Sequence, residues 1–365
     1  MTLKTVLLEI TDKCNLNCTH CMNRPDCKGR ETDINKIRNL FKKFAQYNAE
    51  KVYISGGEPL LHKSIYEIIQ SCADYPKVKF IITTNGLLLN ESLLCLIDSV
   101  NNVTLQFSID GVSTDAYEAL RGQNTFSMFI EKIKLWDSLS KKQGLARTCL
   151  NKYNYKELPQ IYKYCLQHRL YPSFIFLSAL GNGKKNWDCL ELNLAQKIWC
   201  IDSINKLNNR LNINILPPEA PATCNFTENT GVGSLLIRAD GRVAPCQYFY
   251  DDSLGNIFED EIPDILNSPW IKEHCSIANE RKNILENSPK CQSCKIKSGC
   301  NFGCMGIAQN LGNIMSYDGL CDLRVMTSIC YSNRLITMNE NAQKTNVVQI
   351  SKEDINNEKE NNRFM

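Results

Sequence analysis

Three cysteines, Cys14, Cys18 and Cys21, stand within the run Cys14-Asn15-Leu16-Asn17-Cys18-Thr19-His20-Cys21. Three thiolates that close together cannot complete a tetrahedral zinc site by themselves, but they can hold three irons of a 4Fe–4S cube and leave the fourth iron open to a ligand. A second concentration lies toward the other end: Cys224, Cys246, then Cys291-x2-Cys294-x5-Cys300-x3-Cys304, and Cys321. Nineteen cysteines in a chain with no secretion signal point to metal or cluster ligation rather than to a disulfide framework. A zinc ribbon built on Cys291 and Cys294, with Cys300 and Cys304 as its second pair, is the alternative, and would make the chain a non-catalytic zinc-binding interaction protein.

The elements that must position these cysteines follow from hydrophobic periodicity. Short apolar runs at 5–10, 51–55, 79–83, 102–109, 144–150 and 172–177 predict strands. Amphipathic stretches at 33–48, 63–74, 90–99, 125–141, 155–168 and 190–208 predict helices between and after them. Six such units predict an α/β fold: a parallel sheet with right-handed crossovers, curved into a partial (β/α)6 barrel of the TIM type, with its chemistry at the carboxyl ends of the strands. The Pro-rich stretch 216–221 reads as a linker. Beyond it, runs at 234–239 and 242–246 joined by Asp240-Gly241 predict a hairpin. The expected organisation is a barrel over 1–212, a small Cys-rich cluster-binding domain over 213–335, and a polar, flexible tail over 336–365.

With 365 residues, 43% of them hydrophobic, there is ample core for this plan. The net charge of +3 is spread out, which excludes nucleic acid or an anionic membrane as the main partner. No apolar run is long enough to span a bilayer, so a cytoplasmic, soluble protein is expected.

Several motifs fall at predicted strand ends. In Gly56-Gly57-Glu58-Pro59 the glycines allow close backbone approach to a ligand, and the carboxylate can accept from an ammonium group. The third strand ends in Thr83-Thr84-Asn85-Gly86, the fourth in Ser108-Ile109-Asp110-Gly111. Alternation turns Ser108 and Asp110 the same way, toward one ribose or carboxylate. Arg121 offers a fixed guanidinium fork. Asn151 ends the fifth strand at the same mouth. The loop Gly181-Asn182-Gly183-Lys184-Lys185 lacks phosphate-binding spacing and reads as a flexible surface loop.

The first cysteine motif, the GGEP loop and the distal cysteines, including Gly241-x4-Cys246, together resemble the radical S-adenosylmethionine enzymes with a C-terminal SPASM extension, of the peptide- and protein-maturase type. The resemblance covers nearly the whole chain to about residue 330. It implies three 4Fe–4S clusters and S-adenosylmethionine as cofactors. On it, Cys14, Cys18 and Cys21 hold the cluster whose open iron chelates S-adenosylmethionine, and the deoxyadenosyl radical made there abstracts a substrate hydrogen. His20 faces the adenine, Gly56, Gly57 and Glu58 receive the methionyl amino group, and Arg121 faces its carboxylate, with Thr84, Ser108 and Asp110 as further cofactor contacts. Cys291, Cys294, Cys300 and Cys321 hold an outer auxiliary cluster, and Cys224, Cys246 and Cys304 an inner one. The family's fourth inner ligand is missing from 225–231, which leaves an open iron or a distant replacement such as Cys275 or Cys330.

The family's sulfatase-maturing members have an acidic base after the cysteine matching Cys246; Gln247 stands here and cannot take a proton. The expected function is therefore peptide modification by crosslinking or oxidation, on a peptide or protein substrate. The expected electron donor is a flavodoxin or ferredoxin. Because the first strand begins so near Met1, a leader-binding domain is expected to come from a separate protein, if at all. The alternatives are a small-molecule oxidoreductase acting on a sugar or haem precursor, and a sulfatase-maturase-like enzyme.

Overall fold

The computed structural model describes residues 3–23, 29–218, 234–294, 303–317 and 319–323. Strands β1 (Thr5–Thr11), β2 (Lys51–Gly56), β3 (Lys79–Thr84), β4 (Val103–Ser108), β5 (Gly144–Leu150) and β6 (Leu170–Phe176) are all parallel. Their crossovers contain helices α1 (Ile34–Gln46), α2 (Ile65–Ser71), α3 (Glu91–Ser99), α4 (Thr114–Arg121), α5 (Phe126–Leu139) and α6 (Leu158–Gln167). After β6 come α7 (Gly181–Lys185), α8 (Trp187–Leu190) and α9 (Leu194–Leu211). The carboxyl-terminal part adds β7 (Ser234–Ile237), β8 (Arg242–Ala244), β9 (Gly255–Asn256), α10 (Ile262–Leu266), α11 (Pro269–Glu286), α12 (Pro289–Gln292) and α13 (Met305–Asn310). The partial α/β barrel expected from the sequence is present, open between β6 and the far edge of the sheet.

Local chemistry sets the helix starts. Asp33, Asn90, Ser113 and Asn193 each accept hydrogen bonds from backbone N–H groups of the first turn, and Asn193 forms a full capping box with Gln196. Alternation along the strands then decides the layers. Val6, Leu8 and Ile10 of β1, Val52 and Ile54 of β2, and Phe80 and Ile82 of β3 are sealed under α1, α2, α3 and α5, where Phe41, Phe44, Ile68, Ile97 and Trp136 meet them. Each such side chain contributes about 1.5–3 kcal/mol by leaving water. The intervening residues face the concave side.

Three features depart from expectation. The stretch Gly181–Lys185 is not a flexible loop but the short helix α7, because Gly181 and Gly183 let it pack against the chain. The long helix α11 had no sequence signal: its buried residues are only His274, Arg281 and Leu285, too few and too polar to show a period. And the predicted hairpin does form, with Gly241 at φ +89°, but β7 also pairs in parallel with β1, from Thr5↔Ser234 to Leu8↔Ile237.

The sheet is thus a single nine-stranded one in the order β6-β5-β4-β3-β2-β1-β7-β8-β9. Leu235, Ile237, Val243, Phe249 and Met305 share the hydrophobic core of the barrel. Denaturant unfolding followed by fluorescence of Trp136 in α5 and Trp270 on α11 is therefore expected to give one coincident transition. Two separated midpoints would show that the hairpin and its helices unfold independently of the barrel.

Candidate cluster and cofactor site

Cys14, Cys18 and Cys21 lie half-buried in the loop that leaves β1. Its backbone is held from three sides. The Gly57 and Glu58 N–H groups donate to Thr11 O (2.8 Å) and Lys13 O (2.7 Å), and Thr19 N–H donates to Leu120 O at the end of α4 (2.9 Å). From α7, Asn182 N–H donates to Cys21 O (2.8 Å), its side chain to Cys18 O (3.0 Å) and Asn17 Oδ1 (3.1 Å), while Asn186 donates to Thr19 O (2.9 Å). Asn182 and Asn186 went unnoticed in the sequence, where the only signal was the glycine pair around Asn182. Gly181 sits at φ +50°, and a Cβ there would stand 2.6 Å from Cys21 O.

The two glycines of GGEP hold the chain to itself. A Cβ on Gly56 would be 2.0 Å from Thr11 O and one on Gly57 2.0 Å from Lys13 O. This close approach to the chain's own backbone fixes the cysteine loop.

Burial pushes the Cys14 thiol up to about 11, and burial followed by the neighbouring Cys18 pushes Cys21 up to about 12. Three thiolates so placed ionise together only with cations among them, and irons are such cations. The donor set therefore fits a cluster held by three cysteines.

Beside the loop stand two buried carboxyl groups, Glu58 and Asp110, and one buried cation, Arg121. Glu58 is 1% exposed and accepts from Thr84 Oγ1 (2.7 Å), Asn85 N–H (2.8 Å) and Leu60 N–H (3.1 Å). Burial raises its pKa despite these donors. Thr84 therefore reaches a ligand only through this carboxylate, since its hydroxyl is taken.

Arg121 donates through Nη2 to Asp110 Oδ2 (2.5 Å), and the same oxygen accepts from His20 Nε2 (2.9 Å), while Asp110 Oδ1 accepts from Cys149 N–H (2.8 Å). Burial alone would raise the Asp110 carboxyl, but Arg121 and His20 hold it well below the usual range. Asp110 is thus not free to bind a ribose with Ser108, which is half-buried at the end of β4; it orients His20 and Arg121 instead. Asn151, expected at the mouth, is fully buried and closes a local turn through Cys149 O and Tyr153 N–H.

Polar capacity remains on the inner side. His20 Nδ1, Arg121 Nε and the Tyr117 hydroxyl are buried with no hydrogen-bond partner among the described residues. Glu58 and Arg121 both act electrostatically on Cys14 and Cys18. A negative and a positive group flanking three thiols suit a ligand that bears an ammonium and a carboxylate and must reach an open iron.

The distal cysteines gather in two places. Tyr248 lies within electrostatic reach of both Cys246 and Cys304 and hydrogen-bonds Ser178, just beyond β6 at the barrel mouth. Gly306 lets α13 close onto it, since a Cβ there would be 2.6 Å from Tyr248 Cβ, and Asn310 donates to Tyr248 O (2.7 Å). Cys321 lies within electrostatic reach of Cys291 and Cys294, beside Tyr317. Cys224, Cys300 and Cys330 fall outside the described residues, and Cys275 is half-buried on α11.

One buried carboxyl group went unnoticed in the sequence. Glu9 of β1, 4% exposed, accepts from Asn23 Nδ2 (2.8 Å) and from the Tyr250 hydroxyl (3.0 Å). It thereby joins the cysteine loop to the hairpin segment. Burial raises it from 4.5 to about 7, against the lowering effects of Tyr250, Arg238 and Asn23, with Asp12 adding to the rise. A carboxyl group raised on folding stabilises the fold while protonated and loses that contribution as pH rises from about 4.5 through about 7. Glu9→Gln is expected to remove a pH-dependent loss of about 3 kcal/mol, seen as a melting temperature that no longer falls between pH 5 and pH 8. Asn182→Ala, in contrast, should leave melting nearly unchanged and lower the iron retained by the first cysteine loop, measured as iron per chain after gel filtration.

No helix among the described residues is long and apolar enough to cross a membrane. The Radical SAM superfamily description matches residues 8–165, and an iron-sulfur cluster-binding domain, SPASM, matches residues 224–295. A GTP 3',8-cyclase of Limosilactobacillus fermentum is 26% identical over 275 residues, 68% of this chain and 80% of its own length. Mycofactocin maturase MftC of Mycolicibacterium smegmatis is 22% identical over 308 residues, 81% of this chain and 76% of its own. Streptococcus suis SuiB, crystallised with its precursor peptide SuiA, has the same fold, with a TM-score of 0.69 at 17% identity, covering 87% of this chain and 75% of SuiB. Barrel, cysteine loop and distal cysteine segment agree: the chain belongs to the radical SAM superfamily, as an enzyme with a SPASM iron-sulfur cluster-binding domain.

Proposed function

We propose that this enzyme modifies a peptide, forming a crosslink or oxidising a residue, with S-adenosylmethionine as the source of the radical. The observation that carries the reading is the junction at the barrel mouth. There Tyr248 binds Ser178 just beyond β6 and stands near Cys246 and Cys304, which supports a substrate that would lie in the barrel between the first cysteine loop and these two cysteines. Similarity to a mycofactocin maturase, and a fold shared with an enzyme crystallised on a precursor peptide, support a peptide as that substrate.

A cluster held there together with S-adenosylmethionine would supply one-electron radical chemistry capable of removing a hydrogen from the substrate. The chain's own residues prepare this. Cys14, Cys18 and Cys21 would hold the cluster, in a loop fixed by Gly56, Gly57 and Asn182. Glu58, desolvated and held by Thr84 and Asn85, would accept from the methionyl ammonium; Arg121, aligned by Asp110, would offer Nε to the carboxylate; and His20, turned by the same Asp110, would present Nδ1 to the adenine. Cys246 and Cys304 with Cys224 would hold the inner auxiliary cluster, and Cys291, Cys294 and Cys321 with Cys300 the outer one. A flavodoxin or ferredoxin would supply the reductant.

The cyclase relative favours a second reading, a small-molecule oxidoreductase. After anaerobic reconstitution, candidate peptides are expected to stimulate S-adenosylmethionine cleavage, and GTP is not; the reverse result would establish the second reading. Cys14→Ala should abolish cleavage. Glu58→Gln should weaken S-adenosylmethionine binding about tenfold or more by calorimetry, the cost of losing a buried charge-assisted hydrogen bond.

A further inference from the structure

Strand register puts five polar side chains side by side on the concave face of the barrel. Glu9 pairs with Ser55 and Thr83 with Gln106, while Arg238 and Thr83 each stand one residue past a ladder pair, Leu8↔Ile237 and Ile54↔Ile82. The preceding residues Leu8, Ile54, Ile82, Leu105 and Ile237 are at most 1% exposed beneath the helices, so the next residue on each strand turns the other way. The layer Arg238, Glu9, Ser55, Thr83, Gln106 therefore crosses β7, β1, β2, β3 and β4 inside the barrel. Such layers are ordinarily filled by branched apolar side chains. Here none is apolar.

Its hydrogen bonds are unevenly satisfied. Both Glu9 oxygens are occupied, by Asn23 and Tyr250, and Thr83 donates to Gln106 Oε1 (3.2 Å). Arg238 rests on the Tyr250 ring, 4.2 Å from its centroid, with one long contact to Tyr250 O (3.5 Å) and no ion pair among the described residues. The Gln106 amide nitrogen and the Ser55 hydroxyl have no acceptor there either. The layer thus offers donors and one cation, Arg238, which acts on Glu9 electrostatically while both oxygens of that carboxyl group are held by Asn23 and Tyr250.

We propose that this layer is the oxyanion-binding floor of the substrate cavity: Arg238 takes a carboxylate of the substrate, and Ser55 and Gln106 donate to its other oxygens. With strands about 4.8 Å apart, the three donors span about 19 Å along the sheet, the length of about six extended residues. An extended peptide segment that carries an acidic side chain or a free carboxyl terminus at its Arg238 end matches that reach. The source of the carboxylate rests on the peptide reading; the anion site does not, because a phosphorylated small molecule would use the same donors.

The test is phenylglyoxal labelling of the reconstituted holoenzyme, with modification of Arg238 read by mass spectrometry. The probes are N-acetylglutamate methylamide, N-acetylglutamine methylamide and inorganic phosphate. The glutamate probe is expected to slow labelling of Arg238 about tenfold relative to the glutamine probe. Calorimetric affinity for the glutamate probe should fall about tenfold in Arg238→Gln and recover in part in Arg238→Lys. Protection by phosphate but not by glutamate supports the anion site and overturns a peptide as its ligand. Equal labelling of Arg238 with all three probes overturns the site, whichever substrate proves correct.

Discussion

Backbone contact between the GGEP loop and the end of β1 is the constraint on which the site depends. Gly56 and Gly57 lie so close to Thr11 and Lys13 that no side chain fits between, and two short hydrogen bonds close the contact. The loop bearing Cys14, Cys18 and Cys21 therefore leaves the strand in one direction only. A cluster held by three ligands has no fourth protein bond to correct its placement, so precision must come from the scaffold. The same loop delivers Glu58, so whatever Glu58 holds is positioned relative to the cysteines by the same two hydrogen bonds.

A second layer of control is electrostatic. Asp110 serves two partners at one oxygen, and in doing so sets the directions of both His20 and Arg121. A buried ion pair of this kind adds little to stability, because desolvation of the two charges offsets their attraction. Its value lies in orientation: the side chains that border the cysteine loop are fixed before any ligand arrives.

The plan of the barrel could be read from the sequence because its signals are local and periodic. Apolar runs with β-branched residues marked the six strands to within a few residues, and two predicted helices began at the residues that cap them, Asp33 and Asn90. Cysteine spacing marked the cluster loop for a different reason: the chemistry restricts both residue type and distance. What stayed hidden depends on partners far away in the chain. Asp110 and Arg121 each looked available for a ligand, and only their meeting showed otherwise. Asn182 works through backbone carbonyls, which have no residue type. Glu9 looked like one polar interruption of a strand until Tyr250, near the other end of the chain, closed over it.

The parallel pairing of β7 with β1 bears on how the molecule is made. β1 leaves the ribosome before the other eight strands of the sheet, yet its outer partner β7 emerges only after the whole barrel portion has been synthesised. Contacts of such high sequence separation form late and slowly. Until then β1 is an unprotected edge, able to recruit a strand from another chain. The interval also leaves the side of the barrel where Glu9 and Asn23 sit uncovered until Tyr250 arrives. The order of synthesis thus makes this closure one of the last steps in building the sheet.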